Sequence, residues 1–251
     1  MLVIHTFGFI VICISDVVLN DEQLKAYAVA EIEMLLQSCG KTLSKYPPMP
    51  TTYHSLVPDV QNKLIQDEMG YNRPALADEH KRMMSSMTAE QRNVYDRVMT
   101  RVGEGNPGLF FLYSYGGTGK TFIWRAMCAA LRSQGEIVLA VASSGIVALL
   151  IPGGRTAHSR FCIPFSVDEC STCTIEPDSP LVILIAKAKL IIWDEASMMH
   201  IHCFEAVDRS FRDILKVVDG RNKHIPFGGK VVVFGGNFRQ ILPVIPKGTR
   251  P

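Results

Sequence analysis

The sequence predicts an α/β fold, a parallel β-sheet sandwiched by helices and preceded by a mostly helical N-terminal extension. Three observations carry this. Short apolar runs at 109–113, 136–142, 189–193 and 230–236 alternate with helical stretches, the pattern of a parallel sheet covered on both faces. A glycine-rich stretch, YSYGGTGKTF (113–122), links the first run to a helix. Two adjacent acids, Asp194 and Glu195, end the third run. Ligands of such sheets sit at the carboxyl ends of the strands, where all the chemically interesting residues fall.

The elements follow in order. The first residues, MLVIHTFGFIVICI, are almost wholly apolar before Asp16 interrupts. This run is short of the ~20 apolar residues of a membrane span and lacks the basic start and small-residue cleavage site of a signal peptide. Residues 1–18 therefore stay open between a targeting signal or anchor, a buried strand and a stretch outside the fold, and no membrane partner is expected. Residues 19–40 predict a helix: Asn20 caps it, Gln23 follows three residues on, and Leu24, Tyr27, Ala28, Ile32, Leu35 and Leu36 recur at helical spacing before Gly40. KYPPMP (45–50) breaks regular structure, and 51–86 is polar and partly helical. Residues 19–86 thus read as an extension and 87–251 as the principal domain. Within that domain Thr88 caps a helix to about Val102, EGNPG turns into the first strand, and a helix runs from Lys120 to about Arg132. A further helix is expected over roughly 197–217.

Composition narrows the class. The 251 residues are 47% hydrophobic and 20% charged, with a net charge of +2. That is ordinary for a globular chain and wrong for a disordered one. The small net charge leaves room for a locally basic nucleic-acid groove. Seven scattered cysteines suit a reducing compartment better than a disulfide framework. Cys170 and Cys173, with Cys162, His200, His202 and Cys203, have the residue types of a zinc site. A second tight pair at standard spacing is missing, and zinc is not expected.

The glycine loop closes as a G-x-x-x-x-G-K-[ST] phosphate cradle with Ser114 in the first-glycine place. Backbone N–H groups of Ser114, Tyr115, Gly116, Gly117, Thr118 and Gly119 would face a polyphosphate, helped by the positive end of the following helix. Lys120 would reach the outer phosphates and the Thr121 hydroxyl would hold Mg²⁺. Ser114 is costly only if its φ is positive, on the order of 1–2 kcal/mol. LIIWDEA (190–196) brings two carboxylates to the same edge. Asp194 would bind Mg²⁺ through water, and Glu195 would orient or deprotonate an attacking water. GGNFRQILPVIP (235–246) follows another strand, so Gln240 could sense the outer phosphate. Together these predict nucleotide hydrolysis with Mg²⁺ as cofactor.

These residues also carry a family resemblance. YGGTGKT, VASSGIVALLIPGGRTAHSRF (141–161), LIIWDEA and FGGKVVVFGGNFRQILPVIPKG resemble the petite-integration-frequency family of DNA helicases, most closely the branch carried by plant and Helitron transposons. The resemblance extends over about residues 19–250. It implies the first RecA-like lobe of a P-loop NTPase that uses ATP, and no further small-molecule substrate, to drive 5′-to-3′ translocation on single-stranded DNA. Nuclear work in DNA repair, recombination or telomere maintenance would follow. It assigns Gln91 to adenine reading, with Gln23 in the similar phrase LNDEQ as a rival of poorer spacing; Thr88-x-x-Gln91 is equally a capping box. Ser143, Ser144 and Gly145, then Thr156 and His158, match its DNA-facing stretches, though His158 reads equally as a packed surface residue. Two positions depart: the family has glycine at Ser114 and aspartate at Asn237. The sequence given stops at Pro251, before the second lobe and its arginines. The expectation is little ATPase activity and no strand separation from this polypeptide alone. A non-catalytic nucleotide- or DNA-binding remnant of a transposon-derived helicase is the alternative, and a truncated product without a role is a third.

Overall fold

The computed structural model describes residues 63–177 and 179–240, together with Lys25, Ala28, Val29, Ile32, Glu33 and Leu43; for Gln240 it describes the backbone only. Residues 1–18 and most of the expected 19–40 helix, with the rival Gln23, lie outside the described residues. The five described positions of that helix are helical. The chain divides into two compact units, Met1–Val60 and Gln61–Pro251, and the second carries the site.

The second unit opens with α1 (Lys63–Met69), α2 (Arg73–Ser86) and α3 (Ala89–Glu104). Asn72 caps α2 by accepting from the Ala75 N–H, and Pro74 sits in its first turn, where a missing N–H costs nothing. Thr88 and Gln91 form the expected capping box, and Gly105 ends α3 with φ 67°. The sheet then alternates with helices: β1 (Gly108–Tyr113), α4 (Lys120–Ser133), β2 (Ile137–Ala142), α5 (Gly145–Ala148), β3 (Arg155–Thr156), α6 (Ala157–Phe161), α7 (Pro180–Lys187), β4 (Ala188–Asp194), α8 (Ile201–Leu215) and β5 (Val231–Gly236).

All pairings are parallel, in the order β1-β5-β4-β2-β3. Alternating strand residues feed two cores. Leu139, Val141, Ile191, Trp193 and Val232 pack with Phe161 of α6 and Phe211 of α8. Val138, Ala140, Leu190, Ile192 and Val233 pack on the other face with Val98 of α3 and with Trp124, Met127 and Leu131 of α4. The α/β class, the parallel sheet and its two helical layers are as the alternation predicts.

Two observations bear on the expected boundaries. The compact unit that holds the expected 87–251 domain begins at Gln61, and Met83 of α2 is part of the α3/α4 core. The helix expected over 197–217 is two elements. A 3₁₀ turn at Ala196–Met198 follows the acidic pair, and α8 starts only at Ile201, where His200 Nδ1 accepts from the His202 N–H at 3.3 Å. Elements α5, β3 and α6 are too short for periodicity to reveal.

Candidate functional site

Register levels the carboxyl ends of the strands. Tyr113 pairs with Gly236, Trp193 with Phe234, and Ala142 with both Asp194 and Thr156. The glycine loop, the acidic pair and the 143–158 stretch therefore share one edge of the sheet.

The loop is shaped as a cradle. Gly117 and Gly119 have φ of 81° and 90°, the left-handed region that glycine enters without steric cost. A Cβ at Gly119 would lie 2.6 Å from Gln91 Nε2, so the α3 glutamine rests directly on the loop. Its Nε2 donates to Thr118 O at 3.3 Å while its Oε1 accepts from the Thr88 N–H at 3.2 Å. The capping role is thus real, and the same side chain is joined to the loop. Thr118 Oγ1 donates to Tyr115 O at 2.9 Å, bracing the turn. Lys120 is 9% exposed and donates to Ser114 O at 3.3 Å. Thr121 follows it in the first turn of α4. Ser114 lies outside the positive-φ region, so it carries none of the strain the sequence leaves open. Its hydroxyl is buried without a hydrogen-bond partner.

The acidic pair is held differently at its two positions. Asp194 is 2% exposed, and its Oδ1 accepts from the Glu195 N–H at 3.0 Å. A Cβ on Gly235 would lie 2.9 Å from that oxygen and 2.6 Å from the Trp124 ring, so β5 needs glycine there. Glu195 adopts φ 49°, ψ 39°, a costly conformation for a side-chain-bearing residue. Its Oε2 is buried with no hydrogen-bond partner. Ser143 pins this turn. Its N–H donates to Asp194 O at 3.2 Å and its Oγ to Glu195 O at 2.7 Å. The Ser143 hydroxyl, expected to face DNA, donates to the acidic turn and ties it to the end of β2.

The third motif keeps its turn despite the Asp-to-Asn departure. Asn237 is buried, and its Oδ1 accepts from the Arg239 N–H at 2.9 Å, a bond an aspartate would make equally well. Gln240 ends the 3₁₀ turn Phe238–Gln240.

The remaining expected DNA-facing residues gather beyond β2 and β3. Ser144 Oγ caps α5, Gly145 is its first residue, and Thr156 Oγ1 caps α6. His158 stacks on Phe165, with ring centroids 6.1 Å apart and planes 14° from parallel. Phe165 is fully exposed. Sequence reading missed it because a single phenylalanine in IPFS has no periodicity or motif to mark it.

The site residues fit a metal–nucleotide pair. A glycine cradle ends in a lysine and a hydroxyl, and beside the buried Asp194 the half-buried Glu195 has one buried oxygen without a partner. Thr121 and Asp194 would hold a divalent cation, and the loop amides with Lys120 would hold phosphates. Among the described residues no group of three or more His, Cys, Asp or Glu side chains is placed to hold a metal by itself, and no helix is long and apolar enough to cross a membrane.

The fold and the loop define a P-loop nucleotide-binding lobe. The PIF1-like helicase family profile matches residues 86–251, and the chain belongs to that family. It is 35% identical over 150 residues to the ATP-dependent DNA helicase PIF4 of Trypanosoma brucei brucei, a match covering 58% of this chain and 18% of that protein. Human ATP-dependent DNA helicase PIF1 is 27% identical over 172 residues, covering 68% of this chain and 25% of the relative. Among solved structures, Bacteroides Pif1 helicase in complex with ADP-AlF3 and ssDNA superposes with a TM-score of 0.50 at 27% identity, over 64% of this chain and 34% of that one. The chain thus spans a quarter or less of the length of these two curated relatives.

Proposed function

We propose that this chain is the first ATPase lobe of an ATP-driven, 5′-to-3′ helicase acting on single-stranded DNA in the nucleus, in repair, recombination or telomere maintenance. The observation that carries the reading is the shared sheet edge: the glycine cradle with Lys120 and Thr121 ends β1, the Asp194–Glu195 turn ends β4, and Ser143 ties that turn to β2. ATP with Mg²⁺ supplies the phosphoryl group and a divalent charge when bound. Lys120 and the loop amides bind and orient phosphates. Thr121 and Asp194 hold the cation. Glu195, held by Ser143, accepts a proton from an attacking water at Oε2. Gln91, seated on the loop, would read the base, and Gln240 would report the outer phosphate.

DNA contact follows from the adjoining edge. Ser144, Gly145, Thr156 and His158 would meet the backbone without reading sequence. The exposed Phe165–His158 stack offers a face on which a base can rest. Names of the related helicases support both halves of this reading, as does the bound nucleotide analogue and single-stranded DNA of the Bacteroides structure. The test is fluorescence anisotropy of labelled oligothymidylate against the chain, with and without Mg²⁺ and a non-hydrolysable ATP analogue. Saturable, salt-sensitive binding that shifts with nucleotide is expected. Absence of saturable DNA binding by folded protein would contradict the DNA half.

A further inference from the structure

The DNA-facing stretch is tied to a part of the chain outside the family match. Glu68, in α1, is 5% exposed and lies between two buried guanidinium groups. Its Oε1 accepts from Arg160 Nη2 of α6 at 2.5 Å, and its Oε2 from Arg132 Nη2 of α4 at 3.3 Å. Arg132 reaches further: Nη1 donates to Pro152 O at 2.6 Å, and Nη2 also to Val138 O at 3.2 Å. The ring of Tyr71, just after α1, packs against the Arg132 guanidinium at 4.3 Å. Its hydroxyl fills the space over Gly153, where a Cβ would lie 2.1 Å from Oη. Gly153 needs glycine for this and for its φ of 69°.

These contacts converge on one short segment. Pro152 and Gly153 precede β3 and Arg160 lies in α6, so they bracket Thr156 and His158 on either side. Burial lowers the Arg160 pKa, and Glu68 opposes that shift. Burial likewise raises the Tyr71 pKa. Two buried cations share one carboxylate, so removing the carboxylate leaves both without a counter-charge. Arg132 also lies in the last turn of the helix that begins with Lys120, giving the segment a fixed mount on the nucleotide helix.

We infer that Glu68 and Tyr71 are positioning residues for the segment 152–160. The helix preceding the family domain thereby sets where Thr156 and His158 stand. That this segment faces DNA rests on the reading above; the positioning itself does not.

The experiment compares wild-type chain with Glu68→Gln and Tyr71→Phe by hydrogen–deuterium exchange, then by binding. In Glu68→Gln, amides of 149–161 should exchange roughly tenfold faster or more, while amides of 120–131 stay within about twofold. Oligothymidylate affinity should fall by roughly tenfold with nucleotide affinity within about twofold. Equal acceleration in both segments, or in neither, overturns the inference. If Glu68→Gln fails to fold, Tyr71→Phe decides. It keeps the ion pairs and the ring, and should still accelerate amide exchange at Gly153 and Gly154 by about threefold; unchanged exchange there overturns the inference. Should wild type bind no oligothymidylate while exchange responds as described, the DNA reading fails and the positioning role stands.

Discussion

Replacing Glu195 by glycine should stabilise the protein while disabling it. Two costs meet at this residue: a left-handed backbone, φ 49°, and a buried carboxylate oxygen without a partner. The backbone term is about 1–2 kcal/mol for an L-residue, offset by about 0.5–1 kcal/mol for the extra freedom glycine loses on folding. The unpartnered oxygen adds about 1–3 kcal/mol. Glu195→Gly should therefore gain about 1–4 kcal/mol, and Glu195→Ala, which keeps the backbone cost, about 1–3. The Ser143 bond survives in both, because it is made to the Glu195 carbonyl. For a chain of this size each kcal/mol raises Tm by roughly 2–4 °C. Urea and thermal unfolding of the nucleotide-free protein measure both variants, and the glycine–alanine difference isolates the backbone term at about 1 kcal/mol. Variants no more stable than wild type would refute the reasoning that strain is stored at this turn.

Other outcomes follow from the same geometry. Phe165→Ala should weaken oligothymidylate binding by roughly 5- to 100-fold, the range for loss of one base stack, and leave thermal stability unchanged because the ring is fully exposed; unaltered DNA affinity would remove the stack from the DNA path. Ser114→Gly should leave nucleotide affinity within about twofold, since its backbone is not in the region that favours glycine; a tenfold tightening by isothermal titration would contradict this. Lys230 donates to Ala186 O and Ala188 O, and burial, helped by nearby Lys189, lowers its pKa from 10.5 to about 8. Between about pH 8 and 10.5 the unfolded chain holds more of this proton, so the lysine's contribution to stability rises with pH across that window. The difference in unfolding free energy between wild type and Lys230→Met should move in favour of wild type from pH 7.5 to 10; parallel pH curves would contradict the depressed value.

Much of the site was legible because its chemistry is local. Gly117, Gly119, Lys120 and Thr121 are adjacent in sequence, as are Asp194 and Glu195, and apolar runs place both at strand ends. The double life of Gln91 was half visible: Thr88-x-x-Gln91 marks a cap, but nothing in the spacing says that the same amide meets Thr118. Ser143 was assigned to DNA because it matches a motif, while the bond that occupies its hydroxyl is made to a residue 52 positions away. The Glu68 network was invisible for the same reason, since a glutamate in a polar helix reads as solvated until Arg132 and Arg160 are brought to it. Elements β3, α5 and α6 are shorter than the window in which periodicity can be seen.

The central claim is that one sheet edge assembles a lysine, a hydroxyl and two acids around a magnesium–triphosphate pair. Titration of folded protein with a fluorescent ATP analogue and Mg²⁺ tests it most directly. Saturable binding to wild type is expected, weakened by at least about tenfold in Lys120→Ala, whose circular dichroism and melting remain those of wild type. Equal affinity in the two proteins, or no saturable signal in either, would contradict it.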